Sequence, residues 1–309
     1  MTDNTYSGSV SIGELSQRTG VPVRTIRFYC DEGVLDSRRT SGGHRVFDPT
    51  TVVDQLLLVR RLRALGLGLT PIVDVLHGTI SLEQALAAQR RALDTELDAL
   101  TWRRAALRTV ESAPATERTA RLELIAAVQD PRAASDAISS FWRRMLAPAP
   151  SAMFDDFVAM NLPDPPADPT VHHVVAYAEI VALVADPAFA TAMARQVWRS
   201  DHIAAPHRHA LLAEMSLAYE AAAFRILDDE NPRPGTELDQ FVAAHAAARG
   251  ERDTPRLRRQ LLLDNPDPRV DRYWTLTDTF RTTPTVGTAA AWLDTALAVS
   301  VATDAPLVS

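Results

Sequence analysis

The spacing of apolar and polar positions in residues 11–33 predicts two short helices joined by a turn. Ser11 followed by Glu14 gives the Ser-x-x-Glu pattern of a capping box, in which each side chain accepts a hydrogen bond from the other residue's backbone N–H. Gly20 suits the end of this helix because glycine adopts left-handed backbone angles without a steric penalty. Pro22 suits the first turn of the next helix, where a backbone N–H has no acceptor within the helix.

The second helix has one apolar face and one polar face. Val23, Ile26 and Cys30 recur at helical spacing and are expected to face the core, which favours an inert buried thiol over a redox switch for Cys30. The hydrogen-bonding side chains off this face are Arg24, Thr25, Arg27 and Tyr29. A helix that presents such side chains outward is typical of one that reads the DNA major groove.

Two short apolar segments follow, separated by a polar Ser-Gly-Gly turn at residues 41–43, and they predict a two-stranded wing. Asp48 and Pro49 are expected to cap a third helix. Residues 69–76 are expected to form a short fourth helix with a proline in its first turn. Two helices, a turn and a basic hairpin in this order predict a winged helix-turn-helix domain.

Eight side chains of this domain are expected to contact DNA. They are Arg24, Thr25, Arg27, Tyr29, Arg39, Thr40, His44 and Arg45. The first two begin the recognition helix and are expected to reach base edges and phosphates, whereas the two wing arginines are expected to contact phosphates. Arg27 has an alternative role as an ion-pair partner of Asp31 or Glu32. His44 either donates to a phosphate or packs at the base of the wing.

A second capping box begins at Ser81 with Gln84, and neither glycine nor proline interrupts the next 29 positions, as far as residue 113. We therefore expect one helix of roughly 32 residues, close to 50 Å long. Leucines recur along one side of it at coiled-coil spacing: Leu86, Leu93, Leu97, Leu100 and Leu107. A single helix cannot bury such a seam, so the pattern predicts a homodimer formed with a second copy of the chain.

From residue 115 onward, apolar residues recur at three- and four-residue spacing between prolines, which predicts an all-α region. Four of its aromatic side chains are candidates for lining a pocket for a small organic effector: Trp142, Tyr177, Trp198 and Tyr219. A carboxylate partner for such a ligand would come from Glu179, Glu214 or Glu220. The alternative is that these aromatics are ordinary core residues of a helical domain.

These patterns together predict a mainly α-helical protein with four regions. They are a disordered N-terminus (1–10), a winged helix-turn-helix with a small β-wing (11–77), a coiled-coil dimerisation helix (78–114) and a large all-α domain (115–309). A chain of 309 residues with 46% apolar residues is long enough to bury the cores of two domains.

Composition narrows the class of protein. We find no apolar run of about 18 residues, as a membrane span requires, and no signal-peptide pattern at the N-terminus. The single cysteine, Cys30, excludes an internal disulfide. The sequence therefore predicts a cytoplasmic protein that has no membrane partner.

The charge is distributed unevenly along the chain. The net charge is −7, yet residues 1–77 hold nine arginines against eight acidic residues, so the acidity lies in the remainder. All 32 basic residues are arginine, which we attribute to the codon bias of a GC-rich genome. Phosphate contacts must therefore come from guanidinium groups, hydroxyls or backbone N–H groups.

No constellation of residues indicates catalysis. The chain lacks the Gly-x-Ser-x-Gly, His-Glu-x-x-His and phosphate-binding glycine motifs. His202, His207 and His209 lie near Asp201, but their spacing matches no metal motif, which favours solvated or capping histidines. We therefore expect no enzyme activity, no metal site and no cofactor.

Residues 10–77 and the long helix behind them resemble the MerR-type transcriptional regulators. The residues that carry the resemblance are Ile12-Gly13-Glu14-Leu15, Gly20-Val21, Arg24-Thr25-Ile26-Arg27-Phe28-Tyr29, Gly33-Val34-Leu35, Arg39-Thr40, Gly43-His44-Arg45 and Leu62-Arg63-Ala64-Leu65-Gly66. Their shared register over 55 residues makes the set specific.

The resemblance implies a homodimer joined by an antiparallel coiled coil, with two recognition helices in successive major grooves of a pseudo-palindromic promoter. It implies regulation by distorting the promoter spacer so that RNA polymerase can engage, with effectors sensed after the coiled coil. Cys30, His44 and Phe47 depart from residues common in the family, which affects fine base preference. Cysteines are missing at both ends of the long helix, which disfavours thiolate-based metal sensing and an iron–sulfur redox sensor.

The sequence thus predicts a DNA-binding transcription regulator controlled by a small organic ligand at its C-terminal helical domain. The alternative is a regulator whose C-terminal domain is a protein-interaction or oligomerisation platform without a small ligand.

Overall fold

The computed structural model describes residues 8–128, 130–147, 149–199, 205–262 and 266–303. Over these residues it contains fifteen helices and one three-stranded antiparallel sheet, which confirms the predicted mainly α-helical class. The chain divides into two compact units, one ending at Leu97 and the other beginning at Asp98.

The first unit opens with the helix-turn-helix, α1 (Ile12–Thr19) and α2 (Val23–Asp31). The predicted capping box is confirmed, because the backbone N–H of Glu14 donates to Ser11 Oγ at 3.3 Å and the N–H of Ser11 donates to Glu14 Oε2 at 2.9 Å. Gly20 ends α1 with a φ of 69°, as expected of a left-handed helix cap.

The wing is a three-stranded sheet rather than a two-stranded one. The strands β1 (Val10–Ser11), β2 (Arg38–Arg39) and β3 (Arg45–Phe47) lie in the order β1-β3-β2. The strand β1 was not predicted, because two residues are too short to show an alternating pattern. Val10 was expected to belong to a disordered N-terminus, and residues 1–7 of that segment lie outside the described residues. Val10 pairs with Phe47 and both are buried, so this pairing fixes the sheet to the core of the helix-turn-helix.

Two further helices, α3 (Val52–Ala64) and α4 (Leu69–Leu76), complete the domain. The bounds of α4 agree with the prediction, but the cap predicted for α3 is wrong. Thr51 is the N-cap residue, and the Asp48 carboxylate instead accepts from Thr50 N at 2.9 Å and from Thr50 Oγ1 at 2.6 Å. These local hydrogen bonds form a turn that delays the start of the helix.

The long helix α5 (Leu82–Glu111) begins at the second predicted capping box. The N–H of Gln84 donates to Ser81 Oγ at 3.0 Å, and the N–H of Ser81 donates to Gln84 Oε1 at 2.8 Å. Ala85, near the start of α5, belongs to the core of the first unit, and Trp102, near its end, belongs to a core of the second.

The second unit is wholly helical over its described residues, as predicted. Its helices are α6 (Arg118–Ala126), α7 (Pro131–Met145), α8 (Ser151–Asn161), α9 (Val171–Ala185), α10 (Pro187–Trp198), α11 (Ala205–Leu227), α12 (Thr236–Arg249), α13 (Pro255–Leu261), α14 (Pro268–Asp278) and α15 (Val286–Thr303). One core surrounds Trp142 and Tyr273, and a second surrounds Phe241 and Leu293. Apolar faces of helices far apart in sequence meet in both.

The helix α15 contains no uninterrupted apolar run of membrane-spanning length, because Thr288, Asp294 and Ser300 lie within it. This helix has the length and composition of a span, but 44% of it is buried within the protein. Its buried residues include Trp292, Leu293 and Leu297, which pack in the second core. Burial of this kind is typical of the core helix of a globular domain.

Gly287 in α15 generates a prediction about stability. A Cβ atom at this position would lie 2.0 Å from Trp274 Cδ2, so the indole packs directly on the helix backbone. We expect Gly287→Ala to lower the free energy of unfolding of the second unit by about 1–3 kcal/mol, as overpacking does. Urea denaturation would measure it.

The control is Gly13→Ala, because Gly13 is also helical but a Cβ added to it would meet no neighbouring atom within 4 Å. That change should stabilise the first unit by up to about 1 kcal/mol, through helix propensity. An unchanged midpoint for Gly287→Ala would contradict the close packing of Trp274.

Candidate DNA-binding surface and helical cavity

The recognition helix α2 presents an exposed basic face. Arg24 and Arg27 are exposed, whereas Thr25 and Tyr29 are half-buried. Tyr29 packs against both apolar clusters of the first unit, so its ring is committed mainly to the core. Phe28, which the sequence reasoning did not select, is 48% exposed beside it. Phe28 lies off the apolar face of α2, and this position in the sequence pattern would have identified it as an exposed side chain.

The tip of the wing is held by Thr40. Its Oγ1 accepts a hydrogen bond from His44 N at 3.1 Å, and its backbone N–H donates to the His44 carbonyl at 2.9 Å. Gly43 adopts a φ of 78° within this turn. The hydroxyl of Thr40 therefore shapes the turn, and the His44 side chain is exposed at its end. Arg38, also missed by the sequence reasoning, is exposed on β2 like Arg39.

Arg45 differs from the other wing arginines because its guanidinium is engaged by the protein. Nη2 lies 2.5 Å from Asp31 Oδ1, and Nη1 donates to the Arg27 carbonyl at 3.3 Å. The alternative ion pair of Arg27 with Asp31 or Glu32 does not occur among the described residues, and Asp31 pairs with Arg45 instead.

Cys30 lies half-buried between the helices of this unit. Burial raises the pKa of its thiol above the usual range, opposed by a hydrogen bond with Ser37. A raised pKa keeps the sulfur protonated and unreactive near neutral pH. The environment therefore favours the protonated thiol over the thiolate.

The five leucines of the predicted dimer seam are exposed in the single chain. Their exposed fractions lie between 36% for Leu86 and 67% for Leu107. Trp102, two residues after Leu100 and so about 200° around the helix, is only 3% exposed. Its indole Nε1 donates to the Val128 carbonyl at 3.3 Å. Helix α5 thus has one face in the core of the second unit and an opposite apolar face open to solvent.

The second unit contains a cavity of about 720 Å³. Its inner wall is apolar and includes Trp142, Trp274 and Met215, which are all buried. Asp156 and Glu220 line it from exposed positions, so acidic groups mark its mouth. Volume and lining are those of a site for a small, largely apolar molecule.

Two of the four predicted ligand residues line the cavity and two lie outside it. Trp142 and Tyr219 line the cavity, and burial raises the pKa of the Tyr219 phenol, so it stays protonated. Tyr177 lies outside it and packs edge-on against Trp102 at 5.5 Å between ring centroids. Trp198 also lies outside, with the guanidinium of Arg208 4.9 Å from its ring.

Only one of the three candidate carboxylates lines the cavity. Glu220 does so, whereas Glu179 accepts from Arg272 Nε at 2.9 Å and Glu214 is exposed elsewhere on α11. The missed lining residues include three methionines, Met153, Met160 and Met215. Their signal in the sequence was weak, because methionine is a common core residue.

The described residues contain no group of three or more His, Cys, Asp or Glu side chains placed to hold a metal ion. His207 and His209 are exposed near the start of α11. His202 and Asp201 lie outside the described residues.

Comparisons with known proteins agree with the geometry of the first unit. The family model for the MerR HTH family regulatory protein matches residues 10–79. Nodulation protein NolA of Bradyrhizobium elkanii is 39% identical over 98 residues, which cover 31% of this chain and 44% of NolA. The chain thus spans less than half the length of the nodulation proteins that it matches.

Two regulators are also similar. The HTH-type transcriptional regulator HmrR of Rhizobium leguminosarum bv. viciae is 33% identical over 88 residues, 28% of this chain and 67% of HmrR. The mercuric resistance operon regulatory protein of Bacillus cereus is 37% identical over 75 residues, 24% of this chain and 55% of that protein. No solved structure matches the chain significantly.

Proposed function

Because this chain belongs to the MerR family of helix-turn-helix regulators, we propose that it binds promoter DNA as a homodimer and regulates transcription by RNA polymerase. The observation that carries this proposal is the exposed basic face of α2 next to a basic wing. Arg24 and Arg27 supply planar guanidinium forks to base edges and phosphates. Arg38 and Arg39 on the wing supply phosphate contacts, which set orientation rather than sequence preference.

The proposed homodimer forms through the exposed seam of α5. Leucines at coiled-coil spacing that are one-third to two-thirds exposed would be buried by the same face of a second copy. The resemblance to MerR-type regulators implies that the helices pair in antiparallel orientation and that the dimer distorts the promoter spacer. Two copies place two recognition helices on one pseudo-palindromic site.

We further propose that a small organic effector occupies the cavity of the second unit. Trp142, in the cavity wall, and Trp102, on α5, belong to the same apolar core. A ligand that binds two arrangements of this core with different affinities would shift the balance between them, and with it the seam on the opposite face of α5.

A second candidate role is a protein-interaction platform without a small ligand. It is favoured by an apolar face of α11 on which Leu217, Phe224 and Leu227 are each more than half exposed. A contiguous exposed apolar surface is a common mark of a protein-interaction site. Nothing in either arrangement indicates enzyme activity, and the protein is proposed as a non-enzymatic regulator.

The first test is a selection of duplexes from a random library by the purified protein, followed by a footprint of the DNA upstream of its gene. We expect a pseudo-palindromic consensus and a protected site with hypersensitive central bases. Failure to enrich any duplex at low salt would contradict the DNA-binding proposal.

Arg24→Ala is expected to reduce affinity for the selected duplex by about 1–3 kcal/mol and to relax base preference at one position of each half-site. Fluorescence anisotropy on the consensus and on single-base variants measures both effects. The control is Arg91→Ala, which removes the same charge from an exposed position on α5. An equal loss on every duplex would reassign Arg24 to a phosphate.

Leu97→Glu combined with Leu100→Glu is expected to convert the dimer into a monomer, because it places charges in the middle of the seam. Loss of the second recognition helix should then weaken operator binding by at least about tenfold. Sedimentation velocity measures the first effect. Ala88→Glu adds a charge to an exposed position off the seam and should leave the dimer intact. If the double variant is still a dimer, the leucine seam is not the dimer interface.

Ala223→Phe is expected to abolish effector binding, because Ala223 lines the cavity and a phenyl ring would fill part of it. In the native protein, a bound compound at one hundred times its Kd should stabilise the fold by about 2.7 kcal/mol. Thermal melts against a library of uncharged apolar compounds would detect it. Ala213 is half-buried on α11 outside the cavity, so the control variant Ala213→Phe should still show the thermal shift with the compound. No shift in the native protein would favour the platform.

A further inference from the structure

One arginine of the wing cannot serve as a free phosphate contact. The guanidinium of Arg45 donates from Nη1 to the Arg27 carbonyl at 3.3 Å and pairs through Nη2 with Asp31 at 2.5 Å. Its side chain is only 19% exposed, whereas Arg38 and Arg39 on the neighbouring strand are exposed. Two arms of its planar fork are therefore already occupied by protein acceptors.

Both acceptors lie in the C-terminal half of the recognition helix. Asp31 is the last residue of α2, and the Arg27 carbonyl lies one turn before it. Carbonyl groups at a helix C-terminus carry partial negative charge and attract a cation. Arg45 itself begins β3, the central strand of the sheet, which pairs with β1 and β2 on its two sides. One side chain thus joins the middle of the wing sheet to the end of α2.

Asp31 would otherwise oppose DNA binding. Its side chain is 60% exposed on the helix that carries Arg24 and Arg27, and a free carboxylate there repels phosphates. The ion pair with Arg45 changes the effect of this carboxylate on DNA binding. It neutralises the carboxylate and fixes the wing at one orientation relative to α2.

We propose that Arg45 and Asp31 form a clamp that sets the angle between the wing and the recognition helix, and that Arg45 is a positioning residue rather than a phosphate contact. This inference rests on the proposed DNA-binding function. With the clamp in place, Arg39 on the wing and Arg24 on α2 meet the DNA backbone and the base edges together. Without it, one of the two contacts is lost when the other forms.

The test is a double-mutant cycle of Asp31→Asn, Arg45→Gln and the combined variant, with the duplex selected by the native protein as the probe. The clamp predicts that Asp31→Asn lowers affinity by about fivefold, although it removes a negative charge near DNA. It predicts that the combined variant is no weaker than Arg45→Gln alone, because both changes break one interaction. Arg45→Lys should be intermediate, since an ammonium cannot span both acceptors in the same geometry.

The dependence of affinity on salt separates a clamp from a phosphate contact. Arg45→Gln should leave the slope of log Kd against log salt unchanged, whereas Arg39→Gln should reduce it by about 1.8, because each of the two copies on the site loses one phosphate contact. Glu32→Gln is the control for Asp31, because Glu32 is an exposed neighbouring acid that forms no ion pair with a described residue, and it should not weaken binding. Thermal melts should show that every variant is folded.

Three results would refute the clamp. If Asp31→Asn raises affinity, if the two changes are additive, or if Arg45→Gln lowers the salt slope by about one contact per copy, the clamp is refuted while DNA binding stands. If the native protein selects no duplex at all, the proposed function and the clamp fail together.

Discussion

Helix α5 carries two apolar faces, and the chain alone buries only one of them. Trp102 and its neighbours on that face lie in a core of the second unit, and Ala85 lies in the core of the first. The leucines on the other face are left exposed. Because exposed leucine surface is unfavourable in water, this single constraint favours association of two copies. The proposed homodimer rests on this constraint.

In the first unit, the wing is held in place by hydrogen bonds, strand pairing and an ion pair. Thr40 shapes the tip of the wing through its hydroxyl, and the Val10–Phe47 pair fixes the sheet to the core. Arg45 links β3 to α2. Arginine residues that look equivalent in composition therefore have different tasks. In the proposed function some of them meet DNA, while Arg45 positions the wing.

The second unit contains an apolar cavity, which is the site proposed for an effector. Methionine side chains in its wall suit that proposal, because thioethers are flexible and polarisable and can adapt to ligands of varied shape. Gly287 lets the indole of Trp274, which lines the cavity, lie against the backbone of α15. The same core includes Trp102 on α5. Ligand recognition and dimer geometry are thus coupled through one packed cluster in the proposed mechanism.

The sequence by itself determined the elements whose cause is local. The capping boxes at Ser11 and Ser81 place the starts of α1 and α5 correctly, because their hydrogen bonds join residues three positions apart. Tertiary structure alone decided the rest. Trp142 lines the cavity while Tyr177 does not, and Arg45 is bound to a carboxylate fourteen residues away in the chain. Such outcomes depend on which distant elements meet, and helical or strand periodicity specifies only which face is apolar.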